Sequence, residues 1–162
     1  MNIVLIGVGQ TLRGDDGAGP AVVKAWREYY PSTFENSQIR TEIEELPGLN
    51  LLSILQGSDA AIIVDAVQSN NKPGMLHLLH NDIHSPTHEI THGAHNLGVQ
   101  ETLELARLLQ LENLPELITI IGIEVENVAL GGNLSTNVQA AIPNAVDLVE
   151  EQLQSYLNPI LG

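Results

Sequence analysis

The sequence predicts an α/β domain in three layers: a mostly parallel, twisted sheet of about five strands, one of them antiparallel, with helices on both faces. Two observations predict it. Short, nearly uniform apolar runs recur at 2–6, 60–64 and 117–123. A strand without polar alternation is one buried on both faces, as in a parallel sheet. Between these runs lie segments with apolar residues at helical spacing, and strand–helix alternation is the pattern of the crossover units that build such a sheet. The 162 residues suit one domain with its own hydrophobic core, taken as 1–162.

Residues 2–6 form the first strand, which ends at Gly7. From Gly17, Ala18, Ala21, Val22, Ala25, Trp26 and Tyr29 follow helical spacing. Pro20 falls in the first turn, where its missing N–H costs little, and Pro31 closes the element. Residues 38–46 alternate weakly and predict a second, more exposed strand. Pro47-Gly48 opens a short helix through Leu49, Leu52 and Leu55 that ends at Gly57. Residues 60–64 are a buried strand ending at Asp65. After the Lys72-Pro73-Gly74 turn, residues 75–79 return as a strand, expected antiparallel to its predecessor. Residues 80–94 are polar, rich in His and interrupted by Pro86, which predicts a loop. A helix follows with Val99, Leu103 and Ala106 on one stripe, then the strand 117–123. Val138, Ile142, Ala145, Val149, Leu153 and Tyr156 mark a last helix, with Ser135 or Thr136 as N-cap. Pro143 is expected to kink or restart it.

Composition narrows the chemistry. Twenty Asp and Glu against six Lys and Arg give a formal net charge of -14. That argues against a general nucleic-acid binder, which must neutralise phosphates. There is no Cys, which excludes a disulfide scaffold, a Cys-ligated zinc site and a thiol nucleophile. Hydrolytic or metal chemistry must therefore come from carboxylates, hydroxyls and His. Met1-Asn2 carries no positive charge and the apolar run 3–6 is too short for a signal peptide. No stretch approaches the roughly 20 apolar residues that cross a bilayer. The expected location is the cytoplasm, with no membrane partner.

In α/β sheets ligands sit outside the carboxyl ends of the strands. The segment Gly7-Val8-Gly9-Gln10-Thr11-Leu12-Arg13-Gly14-Asp15-Asp16-Gly17-Ala18-Gly19 falls there, between a strand and a helix. A dinucleotide fingerprint needs glycine at position 12, which is Leu, and no Gly-Lys-Ser/Thr of a P-loop exists. Asp15 and Asp16 would repel a phosphate and suit a cation instead. A nucleotide-binding module is thus disfavoured. The plain structural alternative is that one of these acids caps the helix. Asp65 ends a buried strand, where an acid is either functional or a turn residue.

The six His stand at 77, 80, 84, 88, 92 and 95. One helix would align them as a metal-binding stripe, but Pro86 breaks that helix and His77 and His80 belong to a strand pattern. His77 is expected on the solvent side of an edge strand, and His84 and His88 in solvent. His92 and His95 precede a helix, where they could meet the strand ends.

Together these residues resemble the nickel–iron hydrogenase maturation endopeptidases. The tract from Gly7 to Pro20 resembles the family's N-terminal signature, Ile62-Ile63-Val64-Asp65-Ala66 its second motif, and Thr91-His92-Gly93-Ala94-His95-Asn96-Leu97-Gly98 its third. Ile121-Gly122-Ile123-Glu124, Leu134-Ser135 and the last helix match its C-terminal half. The resemblance implies a metal-binding and catalytic cluster of Asp16, Asp65 and His95, with His92 as a competing alignment. It departs from the family at Gln10, where Asn is usual, which puts a side-chain bond within the turn in question. It implies an endopeptidase that removes the C-terminal extension of the hydrogenase large-subunit precursor after nickel insertion. Nickel, or another divalent metal in its place, would arrive with the substrate, whose cysteines would hold it. Either the metal activates water or Asp16 or Asp65 acts as general base, the latter an aspartic-type mechanism. A monomer or weak oligomer is expected, with an acidic surface that steers a basic precursor segment. The alternative is a non-catalytic nickel-binding accessory protein, a metallochaperone, using His77, His80, His84 and His88.

Overall fold

The computed structural model describes residues 1–46, 48–81 and 98–159. The chain runs β1 (Ile3–Val8), a 3-10 turn (Gly14–Gly17), α1 (Ala18–Tyr29), α2 (Pro31–Phe34), β2 (Ile39–Glu44), α3 (Leu49–Leu55), β3 (Ala60–Val67), β4 (Leu76–Asn81), α4 (Val99–Leu108), β5 (Leu117–Glu124) and α5 (Thr136–Leu157). The five strands form one sheet in the order β2-β1-β3-β5-β4. All neighbours are parallel except β4 with β5. The predicted α/β class, strand number and single antiparallel strand are all present.

The apolar runs sit where two-faced burial demands. Every residue of β1 and β3 is buried. Ile3, Leu5, Ile62, Val64, Ile121 and Ile123 face α1 and α5. Val4, Ile6, Val8, Ala61, Ile63, Ile118 and Ile120 face α3 and α4. The sheet is thus the middle of three layers. Trp26 is fully buried between α1 and α5, and its indole N–H donates to Glu150 at 2.9 Å.

Two expectations are corrected and two are sharpened. β4 is antiparallel, but to β5 and not to β3, its predecessor. Both sides of β3 are already taken by parallel neighbours, β1 and β5, so sequence proximity cannot make a hairpin there. On α1, Tyr29 is 68% exposed while Val23 is buried, because the helix is covered by both the sheet and α5 and its buried arc is broader than one stripe. Pro143 does not restart the last helix, which runs on as one 22-residue element. Ser135 is the N-cap residue by position, yet its side chain makes no capping bond; the hydroxyl goes to Asp15 instead.

No helix among the described residues is long and apolar enough to cross a membrane.

Candidate functional site

The C-terminal edge of the sheet is closed by the glycine loop between β1 and α1. Two of its glycines are required by backbone contact. A Cβ on Gly19 would lie 2.3 Å from the Val64 carbonyl oxygen and 2.5 Å from that of Val8, so α1 begins directly on the ends of β1 and β3. A Cβ on Gly9, at φ +139, would lie 1.9 Å from the Asp16 carbonyl oxygen. The Gln10 N–H donates to Asp16 Oδ2 at 2.8 Å. This bond uses the backbone, so Gln in place of Asn at position 10 leaves it intact.

Asp16 is 1% and Asp65 2% exposed. Asp65 does not end β3 but lies inside it, paired with Val8 of β1 and Gly122 of β5. Asp16 belongs to the 3-10 turn that rests on β3. The two acids thus come to the same edge on neighbouring segments.

One cross-strand row reads Glu44, Val8, Asp65, Gly122, His77. Side chains in such a row share a face. His77 is two strands from Asp65, about 10 Å away at ordinary strand spacing. Gly122 stands between them, and its missing Cβ leaves room for Val67, whose Cγ1 would lie 2.9 Å from it. His77 is on the edge strand, as expected, but does not point only to solvent. Its Nε2 is 3.0 Å from Glu124 Oε2, and its side chain is 18% exposed.

Asp15 and Asp16, adjacent in sequence, do different things, and neither caps α1, whose N-cap Gly17 has no side-chain bond. Asp15 is fully buried and gathers the loop 126–135. Its Oδ2 accepts the N–H groups of Glu126 (2.8 Å) and Asn127 (2.9 Å) and the Ser135 hydroxyl (2.9 Å), and its Oδ1 accepts the Ser135 N–H (2.6 Å). Burial pushes this carboxyl up, but the Ser135, Asn127 and Glu126 N–H groups and the Ser135 hydroxyl outweigh it and hold it below its ordinary value. Glu124 repeats the pattern on the other side of the site. It is 1% exposed and accepts from the Ser69 N–H (2.8 Å), the Ser69 hydroxyl (2.7 Å) and the Asn71 N–H (3.2 Å). Burial raises its carboxyl, and the bonds from Ser69, His77 and Asn71 bring it below the ordinary range. Sequence reasoning did not single out these anchoring roles. The rule that flagged Asp65, an acid at the end of an apolar strand, applies equally to Glu124.

His92 and His95 lie outside the described residues, as do His84 and His88. Of the histidines in the metal-carrier reading, His77 is engaged with Glu124, and His80 Nδ1 is 3.1 Å from the Thr119 hydroxyl. Among the described residues no group of three His, Cys, Asp or Glu is placed to hold a metal ion. A cleft of about 520 Å³ lined by residues 106, 107 and 110–116 lies at the opposite edge of the sheet, away from both aspartates.

Residues 46–152 match the family described as hydrogenase maturation protease (HycI). Protein FrxA of Pyrococcus furiosus is 30% identical over 138 residues, covering 84% of this chain and 93% of its own. The hydrogenase 2 maturation protease of Escherichia coli is 28% identical over 152 residues, covering 92% of this chain and 88% of its own. Among solved structures, the nickel–iron hydrogenase maturation protease HybD from Thermococcus kodakarensis superposes with a TM-score of 0.65 at 27% identity, over 94% of this chain and 99% of that one.

Proposed function

The chain belongs to the hydrogenase maturation protease family, which makes it a processing endopeptidase, and from that premise we propose that it cuts the C-terminal extension from a nickel–iron hydrogenase large-subunit precursor once nickel has been inserted. In this reading Asp16, Asp65 and His95 receive the nickel carried by the precursor. The metal is part of the substrate, and cleavage waits for it.

The observation that carries the reading is the placement of Asp16 and Asp65, both almost fully buried, on neighbouring segments at the C-terminal edge. Two carboxylates with an imidazole are a donor set that nickel accepts, the imidazole being the better ligand. Three protein donors leave positions open for the precursor's own ligands or water.

The topology supports His95 as the third donor. The chain beyond α4 reaches Asn113, whose carbonyl accepts the Gly57 N–H at the N-terminal edge of the sheet. A ten-residue helix of about 15 Å packed along the sheet therefore begins toward the C-terminal edge. Gly98, at that start, is three positions after His95.

Cleavage adds one water across the scissile amide. The new chain end takes the hydroxyl as a carboxylate, and the released tail takes the proton on its amine. In the reading favoured here the carboxylates dock the metal and so hold the scissile bond in place.

The test is cleavage of nickel-loaded against nickel-free precursor. Only the loaded form is expected to be cut. Asp16→Asn, Asp65→Asn and His95→Ala are each expected to slow cutting ~100-fold or more, with His92→Ala close to wild type. Undiminished cutting by the three variants overturns the assigned site. Equal cutting of nickel-free precursor overturns metal recognition.

A further inference from the structure

Four leucines stand in solvent around the same edge. Leu12 is 75% exposed, Leu46 68%, Leu49 65% and Leu130 79%. They come from three segments that hydrogen bonds pin together. Leu12 is in the glycine loop. On one side that loop is held to the end of β2 by the Gly9 N–H, which donates to the Glu44 carbonyl at 2.9 Å, and by the Thr11 hydroxyl, which donates to Glu45 Oε1 at 3.1 Å. Leu46 and Leu49 follow directly. On the other side the Leu12 carbonyl accepts the Gly131 N–H at 2.9 Å, next to Leu130. Asp16 bonds to Gln10 of the same loop.

Single exposed leucines are ordinary on a surface. Here three of them sit on loops pinned by these hydrogen bonds and Leu49 opens α3, at the edge where two carboxylates are buried. An apolar patch of that kind marks a protein contact. Charge specifies the partner further. Glu45 and Glu126 are exposed on these segments, and Arg13 is the only cation in residues 9–14, 44–50 and 125–135. The whole chain carries -14. A second copy of the same chain would meet like charge.

We propose that this leucine collar is the docking surface for the precursor, and that it takes an apolar segment bearing Lys or Arg beside the bond to be cut. The proposal rests on the function above and deepens it by assigning substrate binding to residues other than Asp16, Asp65 and His95. The collar grips the precursor equally before and during reaction, so its loss raises KM and leaves kcat in place.

The test uses the full chain with Leu12→Ser and Leu130→Ser, nickel-loaded precursor, steady-state cleavage and a direct measurement of precursor binding. Each variant is expected to raise KM and Kd about tenfold, with kcat unchanged and the melting temperature near wild type. Leu108→Ser, at the opposite edge, is expected to change neither constant. Association of wild type is expected to slow as salt is added. Unchanged KM and Kd in both collar variants, with wild type cleaving normally, overturns the collar and leaves the proposed function standing. A salt-independent association rate overturns the basic character of the segment. A wild-type dimer that Leu12→Ser turns into a monomer gives the collar to a second copy and overturns the proposal. Wild type that neither binds nor cuts loaded precursor overturns this proposal and the function together.

Discussion

At the C-terminal edge of the sheet Gly19 is where two backbones touch; at the N-terminal edge Gly57 is where the chain turns. Gly19 has the carbonyl oxygens of Val64 and Val8 where a side chain would begin. Gly57, at φ +77, has nothing within 4 Å of its missing Cβ. The aspartates differ in the same way. Asp15 is fully buried and holds three backbone N–H groups and a hydroxyl. Asp59 lies in solvent at the other edge and accepts the Asn2 N–H at 2.6 Å. Both edges expose leucines, but those at the C-terminal edge surround buried acids, whereas Leu108 and Leu109 close an ordinary helix end. The lesson is that residue type sets what a position is able to do, and local packing density sets how much depends on it.

The glycines give the sharpest way to break this comparison. Gly19→Ala pushes a methyl into two carbonyl oxygens belonging to central strands, and is expected to cost about 4 kcal/mol or more, enough to unfold most of the protein. Gly57→Ala meets only the left-handed backbone and is expected to cost about 1 kcal/mol. Urea unfolding measures both, and equal costs would remove the distinction between the edges.

The aspartates come next. Asp15→Ala removes the buried acceptor of the Glu126, Asn127 and Ser135 N–H groups and is expected to cost about 2–3 kcal/mol. Asp59→Ala is expected to stay within ~0.5 kcal/mol of wild type in the same experiment. A small effect at Asp15 would mean that the loop 126–135 is held by its other contacts.

The smallest effect is in pH dependence. Asp15 and Glu124 are held below their ordinary values of 3.8 and 4.5. Depressed carboxylates stabilise fully above the unfolded-state value, and the contribution is lost as pH falls through the folded-state value. Stability should therefore fall on acidification below about pH 4. Asp15→Asn and Glu124→Gln should each flatten that limb in a pH series of unfolding curves, and Asp59→Asn should not. An acid limb unchanged in both buried variants would assign acid lability to other groups.

Much of the frame was legible along the chain. Residues 2–6, 60–64 and 117–123 are apolar without alternation, and a segment buried on both faces leaves that mark whatever its neighbours are. The helices showed through periodicity, though Tyr29 shows its limit: periodicity reports a stripe, and the breadth of the buried arc depends on what covers it. The glycine loop departs from a nucleotide fingerprint in ways the sequence shows directly, because the absent third glycine and the Asp pair are local facts. The pairing of β4 was not legible, since nothing in residues 75–81 records that β5, which comes later, takes the place beside β3.

The sequence by itself determined which residues are scarce and chemically able: two acids after the first strand, one following the apolar run 60–64, no thiol, and histidines confined to one stretch. The tertiary structure alone decided how Asp15 and Asp16 divide their roles. The bonds of Asp15 reach residues 111 to 120 positions away, while Asp16 turns back to Gln10, six positions before it. Two adjacent aspartates have the same local preferences. What separates them is the 3-10 turn, which directs one carboxylate to the loop 126–135 and the other to the glycine loop, and that turn is held by contacts with distant parts of the chain.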